Sequence, residues 1–225
     1  MSPAASGRAA VLWTGGKDCA LALDRARARG LPVDALFTFA PPRARFRAHP
    51  LPRIRAQARA LGLPHRVLDV EPPYTTAYER HFRRLRRDGY AWVVTGDIDL
   101  IGGAPSWVRE RAASTGLRVL RPLWRQSRYA LLRALGPAGI RAEITAVRVP
   151  HLGVEWLGRV LDRRTIDELV RLARRKRFDA SGEQGEYHTM VLDAPGFCAE
   201  IAPGPRTVRG VGNLRYLAGS TSVSN

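Results

Sequence analysis

Short apolar runs alternate with longer stretches whose apolar side chains recur every three to four positions through the first half of the chain. The runs Ala9–Trp13, Val33–Phe39, Arg66–Val70, Ala91–Thr95 and Leu117–Leu120 are the length and type of buried strands. Between them, helical periodicity covers Asp18–Arg29, Arg53–Leu61, Tyr74–Arg87 and Ser106–Ser114. Gly30, Gly62, Gly89 and Gly116 fall where these helices should stop. Strict alternation predicts an α/β fold: a parallel sheet with helices on both faces. Ligands on such sheets bind beyond the carboxyl ends of the strands.

The pattern changes near residue 121. A helix is predicted over Arg128–Leu135, a strand over Ala142–Val149 and a helix over Thr165–Arg177. Tyr187–Leu192, Cys198–Ile201 and Thr207–Arg209 then read as strands. We therefore divide the chain into residues 1–120, a nucleotide-binding type of domain, and residues 121–225, a smaller α+β subdomain with a frayed Ser/Thr-rich tail, Gly219–Asn225.

The turn Thr14-Gly15-Gly16-Lys17-Asp18-Cys19 joins the first predicted strand to the first predicted helix. Two glycines let backbone approach a ligand closely. The helix start behind them presents free N–H groups and the positive end of the dipole to an anion. Lys17 adds a compact charge suited to phosphate. Of the 37 basic residues only Lys17 and Lys176 are lysine, so Lys17 stands out against an otherwise arginine-only background. Thr95-Gly96-Asp97 and the loop Phe39–Pro50, which carries His49, belong to the same strand edge.

A net charge of +17 attracts polyanions. The arginines lie along predicted helices without an RNA-binding signature or interleaved aromatics, so solvated helix faces are the first reading and a nucleic-acid surface the second. No apolar run reaches the length of a bilayer span, and Met1–Ala10 lacks the apolar core of a signal peptide. Two cysteines, Cys19 and Cys198, make no disulfide framework. A cytoplasmic protein without a membrane partner is expected. Beside Lys17 at a helix start, Cys19 has the setting of a thiol with a lowered pKa, but no histidine partner is apparent locally and a nucleophile is not the first reading; Cys198 reads as a buried strand residue.

The turn lacks the distal glycine and Ser/Thr of a Walker A loop and the G-x-G-x-x-G of a dinucleotide loop. It resembles instead the S-G-G-x-D-S loop of ATP pyrophosphatases, with Thr14 for the first serine and Cys19 for the last. Further segments resemble the diphthine–ammonia ligase family within that superfamily: Phe46–Pro50, Ile54–Pro64, Leu117–Trp124, Gly153–Arg159, and above all Ser181-Gly182-Glu183-Gln184-Gly185-Glu186-Tyr187-His188-Thr189 with Leu192–Pro195. The last is similar to the family's G-E-x-G-E-(F/Y)-E-T signature.

The resemblance implies an adenine nucleotide α-hydrolase-like, Rossmann-like fold and an ATP-dependent, AMP-forming amide ligase using ATP, Mg²⁺ and ammonia. The family's acceptor carboxylate is diphthine, on a translation elongation factor. The nucleotide set carried over is Trp13, Thr14, Gly15, Gly16, Lys17, Asp18 and Cys19 with His49, Gly96 and Asp97. Asp18 and Asp97 are the candidate Mg²⁺ ligands, and Lys17, Asp18, Glu183 and Glu186 the candidate catalytic groups. Glu155, Trp156, Gly182, Glu183, Gly185, Glu186 and Tyr187 form the expected acceptor side. There the carboxylates hold ammonium, or receive a quaternary ammonium that Tyr187 faces through a cation–π contact. Trp107 and Val108 stand where the family has Tyr and Gln, so a different pocket wall is expected. The alternatives are an RNA-modifying ATP pyrophosphatase and a nucleotide-binding sensor without turnover.

Overall fold

The computed structural model describes residues 7–42, 46–100, 107–203 and 207–218. The alternating first half folds as β1 (Arg8–Leu12), α1 (Lys17–Ala28), β2 (Val33–Ala40), α2 (Leu51–Ala60), β3 (His65–Asp69), α3 (Tyr74–Arg87), β4 (Tyr90–Val94), α4 (Trp107–Ala113) and β5 (Arg118–Leu120). The second half contributes α5 (Arg128–Ala134), β6 (Arg141–Arg148), a 3-10 turn at Val154–Trp156, α6 (Arg163–Lys176), β7 (Tyr187–Asp193), β8 (Thr207–Val211) and β9 (Leu214–Ala218).

The first sheet is parallel, in the order β3-β2-β1-β4-β5. Strand β1 is central, and Ala9, Ala10 and Val11 are fully buried on its two faces. That is why its sequence reads as an unbroken apolar run and not as an alternation. The connections run outward from β1 through β2 to β3, then cross back to β4 on β1's other side. The crevice between the carboxyl ends of β1 and β4 is thus the topological switch point, where open α/β sheets take their ligands.

Helices cover both faces. Phe82, Leu85 and Ala112 of α3 and α4 pack on Ala10, Phe37 and Val93. On the opposite face, α1 and α2 lie between the parallel sheet and a second, antiparallel sheet in the order β7-β6-β9-β8. Leu21 and Ile54 share one core cluster with Ile144, Met190 and Val191 of that sheet and Leu132 and Leu169 of α5 and α6. No helix among the described residues is long and apolar enough to cross a membrane.

The expected strand at Cys198–Ile201 does not form. Behind the Pro195-Gly196 turn this segment is irregular, held by Cys198 N–H to Ala60 O (2.8 Å) and Ile201 N–H to Leu192 O (2.7 Å), and Cys198 is exposed. Strand β9 was not expected from the sequence. It pairs with β6 and β8, and both hairpin strands are largely open to solvent, so no apolar face announces them. Helix α2 begins at Leu51, before the expected Arg53, because Pro52 fits a first turn that needs no N–H from it. Ser106 and the tail Gly219–Asn225 lie outside the described residues.

One side chain joins the layers. Gln57 of α2 is fully buried. Its Oε1 accepts the indole N–H of Trp13 (3.0 Å), and its Nε2 donates to Gly15 O (3.0 Å) and Val191 O (2.7 Å). It thereby binds the end of β1, the glycine turn and β7. Gln57→Leu keeps the volume but strands these partners in the interior, where an unpaired polar group costs about 1–3 kcal/mol. We expect a loss of about 3 kcal/mol in urea unfolding with an unchanged m-value. A loss below about 1 kcal/mol would show that the three bonds do not carry this junction.

Candidate functional site

The glycine turn is built by packing as much as by openness. Gly15 has φ +81°, and a Cβ there would lie 2.5 Å from Gln57 Oε1 and 3.0 Å from Met190 Cε. A Cβ on Gly16 would lie 3.3 Å from Thr189 O and 3.5 Å from the His49 ring. Gly15 O also accepts Val191 N–H (2.9 Å), and the Thr189 hydroxyl accepts Lys17 N–H at the start of α1 (3.1 Å). Strand β7 therefore straps the turn from behind. Gly96 plays a similar packing role at the end of β4, where a Cβ would meet the Asp18 backbone at 2.8 Å.

Lys17 is buried, with its ammonium 2.6 Å from Asp18 Oδ2 and 2.7 Å from Ser181 O. Its charge is retained there: burial opposes it, but Asp18, the Tyr187 hydroxyl and Glu183 outweigh burial and raise the pKa. Cys19 corrects an expectation. Its thiol is buried and donates to Gly16 O (3.0 Å), and burial pushes its pKa up to about 11, so it is a neutral packing group and not an activated nucleophile.

The acidic loop between α6 and β7 is tied from both ends. Asp179 receives Arg128 Nε–H on one carboxylate oxygen (2.9 Å) and Ser181 N–H on the other (2.7 Å). The second guanidinium arm of Arg128 reaches Asp99, just beyond β4, at 3.3 Å. One arginine at the start of α5 thus holds the acidic loop against the segment that follows β4. The Glu186 carboxylate is buried and accepts the N–H groups of Asp179 and Gln184, both at 3.0 Å. It is the knot of the loop and, although expected to be catalytic, lines neither of the two cavities at the site.

Glu183 remains. It is largely buried, and burial, reinforced by Asp18, pushes its pKa up to about 7, against the opposing pull of Lys17 and Arg128. His49 and His188 meet edge to face, with His49 Nε2 3.4 Å from His188 Nδ1. Burial, His188 and Lys17 press the His49 pKa down to about 3; burial, Lys17 and Arg148 lower that of His188. Both rings are neutral near pH 7.

These groups surround two adjoining cavities. A cleft of about 310 Å³ opens at the switch point, lined by Trp13, Thr14, Phe39, Tyr78, Gly96 and Asp97, with Trp107 and Val108 in its wall. Phe39 stacks on Tyr78 at 4.1 Å between ring centroids, giving the cleft an aromatic side. A second cavity of about 190 Å³ lies over the start of α1, lined by Gly16, Lys17, His49, Ser181, Gly182 and His188. Thr14, Asp18, Cys19 and Glu183 border both. In the second cavity the buried atoms His49 Nδ1 and Ser181 Oγ have no hydrogen-bond partner.

Two expected acceptor residues lie elsewhere, and a third is buried at the edge of the second cavity. Trp156 is a core residue under the Arg159 guanidinium. Glu155 faces a separate groove beside α6. Tyr187 borders the second cavity but is largely buried, with its hydroxyl on Ala180 O (2.8 Å) and its ring already facing the Lys17 ammonium at 5.5 Å. Gly185 lines neither cavity, whereas Gly182, at φ +77°, is kept small by Tyr187 O, 2.8 Å from where a Cβ would sit. Asp18 and Asp97 both face the cleft, Asp97 accepting the Thr95 hydroxyl (2.7 Å). No cluster of three or more His, Cys, Asp or Glu side chains suited to a metal exists among the described residues. The sequence reading passed over Gln57, Arg128, Asp179, Ser181, His188 and the aromatic wall. Only the position of Ser181 and His188 inside the signature pointed to any of these.

This architecture, a parallel sheet with its glycine turn at the switch point and an antiparallel sheet strapping that turn, defines the class as an α/β protein of Rossmann-like type with a C-terminal α+β part. Residues 129–202 match the family model described as the diphthamide synthase C-terminal domain, and the resemblance read from the sequence holds over that segment. No curated protein matches the chain. Among solved structures it is similar to one described as a predicted subunit of tRNA methyltransferase from Methanocaldococcus jannaschii, at 17% identity, covering 84% of this chain and 97% of that one, with a TM-score of 0.48.

The raised pKa of Glu183 has a measurable sign. The folded state binds this proton more tightly than the unfolded chain, so the carboxyl group costs nothing below its unfolded pKa of 4.5 and destabilises increasingly as pH rises through about 7. Glu183→Gln should leave stability unchanged near about pH 4 and raise it by about 2–3 kcal/mol near about pH 8. Denaturant melts across that range check this; an equal effect at both ends would refute the shifted carboxyl.

Proposed function

We propose that the chain is an ATP-dependent, AMP-forming ligase that activates a carboxylate and converts it to an amide with ammonia. The observation that carries this reading is the pair of adjoining cavities: an aromatic-sided cleft of nucleoside size opening into a polar cavity over a helix N-terminus. A nucleoside in the first places its phosphates toward the second. There the helix start and the side chains of Lys17, His49 and Ser181 border the space that an anion would take. Pyrophosphate, with many acceptor oxygens, suits such donors; neutral imidazole can donate as well as accept.

In this reading the acceptor carboxylate attacks the α-phosphorus at the Thr14–Asp18 border. The bond to the β-phosphate bridging oxygen breaks, and the electron pair leaves with pyrophosphate. Lys17 and the α1 start stabilise the charge that builds there. Ammonia then attacks the acyl carbon and AMP leaves. Glu183 lies on the border between the cavities, and a carboxylate with a pKa near 7 is matched to taking the proton that the attacking amine must lose. Mg²⁺ would be held by Asp18 and Asp97 with phosphate oxygens and water. Mg²⁺ accepts one or two protein carboxylates in this way, so the absence of a larger ligand cluster is compatible with it. The ion would neutralise phosphate charge.

The departures in the acceptor loop bear on the acceptor itself. Glu186 is consumed by its own loop and Tyr187 is covered by Lys17, so neither stands ready for the quaternary ammonium of diphthine. An acceptor that brings a carboxylate but no cation fits the remaining groups better.

Exchange of labelled pyrophosphate into ATP, measured with Mg²⁺ and a panel of carboxylates but no ammonium, isolates the first step. Carboxylate-dependent exchange is expected, and Lys17→Met should lower it at least about 100-fold, the scale for losing one charge-stabilising donor. Formation of ADP and phosphate in place of AMP and pyrophosphate would overturn the proposal.

A further inference from the structure

Outside the two cavities, a groove of about 330 Å³ lies between α5 and α6, bordered by Arg128, Tyr129, Arg174, Arg177, Phe178 and Ala180. Its far side is the acidic loop: Ala180 faces the groove, while the next residue, Ser181, faces the cavity over α1. Arg128 borders the groove and also holds Asp179 and Asp99. Whatever occupies the groove therefore rests against the wall of the candidate site.

The chemistry of the groove is specific in kind. Arg174 and Arg177 are exposed and form no ion pair among the described residues. The C-terminal dipole of α6 accounts for a cation in its last turn, Arg174 included. It favours Arg177, at the C-cap, as well. That residue caps the helix in the left-handed conformation, φ 58°, where helices usually place glycine. The apolar part of the lining is Val170, Ala173, Phe178 and Ala180, and Tyr129 beside it is 43% exposed, with the Arg133 guanidinium 5.9 Å from its ring. Unpaired planar cations beside an apolar and aromatic lining suit a ligand that carries both negative charge and flat rings.

We propose that this groove seats a nucleotide of a single-stranded nucleic acid, its base on the Tyr129 and Phe178 side and its phosphates on Arg174 and Arg177. An acidic peptide satisfies the arginines but brings nothing flat to the lining. A duplex keeps its bases stacked away from a concave groove, whereas a single strand can splay one in. The net charge of +17 acts in the same direction, concentrating polyanions at the surface. The inference does not depend on the ligase reading, because binding is measured without turnover.

Fluorescence anisotropy with a short fluorescein-labelled single-stranded RNA, and with DNA of the same sequence, tests the proposal on the full chain. Arg174→Ser with Arg177→Ser should weaken binding at least about tenfold and flatten the salt dependence by about 1.4, the release expected for two contacts to a single strand. Tyr129→Ser should weaken binding at least about fivefold with no change in salt slope, the signature of lost stacking. Arg80→Ser with Arg84→Ser on α3 removes the same charge from the opposite face and should change affinity less than about twofold. Preference for RNA over DNA, or none, is compatible with the shared chemistry. Equal losses in the α3 control, or polyglutamate displacing the probe as well as unlabelled RNA does, would overturn it in favour of unspecific charge or an acidic protein partner.

Discussion

Everything at the site hangs on the three hydrogen bonds of Gln57. A parallel sheet and an antiparallel sheet have no ladder in common, and apolar packing alone leaves their relative placement loosely specified. Gln57, fully buried in α2, accepts from Trp13 at the end of one sheet and donates to Gly15 and Val191. Buried polar networks are unforgiving, because a partial mismatch leaves a stranded group in a low dielectric. The amide thus permits one register of β7 against the glycine turn. That register places Thr189 on the first N–H of α1 and Ser181 on the Lys17 ammonium.

Within the acidic loop, burial and hydrogen bonding assign different tasks to similar side chains. Glu186 is the more buried of the two glutamates but meets two backbone N–H groups, so its oxygens are satisfied internally. Glu183 is left against Asp18 in a partly dry cavity, where its charge is costly. Pairs of acids pushed apart by their surroundings are a common way to obtain one structural and one proton-transferring carboxyl group. Arg128 supports the division by holding Asp179, and through it Ser181, while its other arm restrains Asp99 beyond β4.

The two cavities divide the work between the two halves of the fold. The switch point of the parallel sheet supplies an apolar, aromatic cleft open to solvent, the kind of place where a flat group is held by stacking. The strap from the antiparallel sheet closes over the helix start and shields the neutral histidines, Lys17 and Ser181 from water. Lower dielectric strengthens each charge interaction there. The groove beyond the acidic loop extends the same arrangement outward, with Arg128 common to both sides.

The sequence by itself determined the parallel sheet, its helices, the glycine turn and the signature loop, because each is written in local terms: runs, periodicity, glycine at helix ends and spacing within a few residues. It also marked Trp107 and Val108 as a changed wall, and both do line the cleft. Tertiary structure alone decided which of the marked residues face the cavity. Glu183 and Glu186 are indistinguishable in the signature, yet only one is free of its own loop. Cys19 sits where a thiolate would be expected, and burial keeps it a thiol. Trp156, plausible as a contact, went to the core, and Tyr187, at the edge of the second cavity, faces Lys17. Gln57, Arg128 and Asp179 act across separations of 42 to 134 residues for Gln57 and 29 and 51 for Arg128, which no local pattern records. The physical reason is the same in each case. Charge state and orientation depend on what the fold brings up against a side chain and how much water it leaves there.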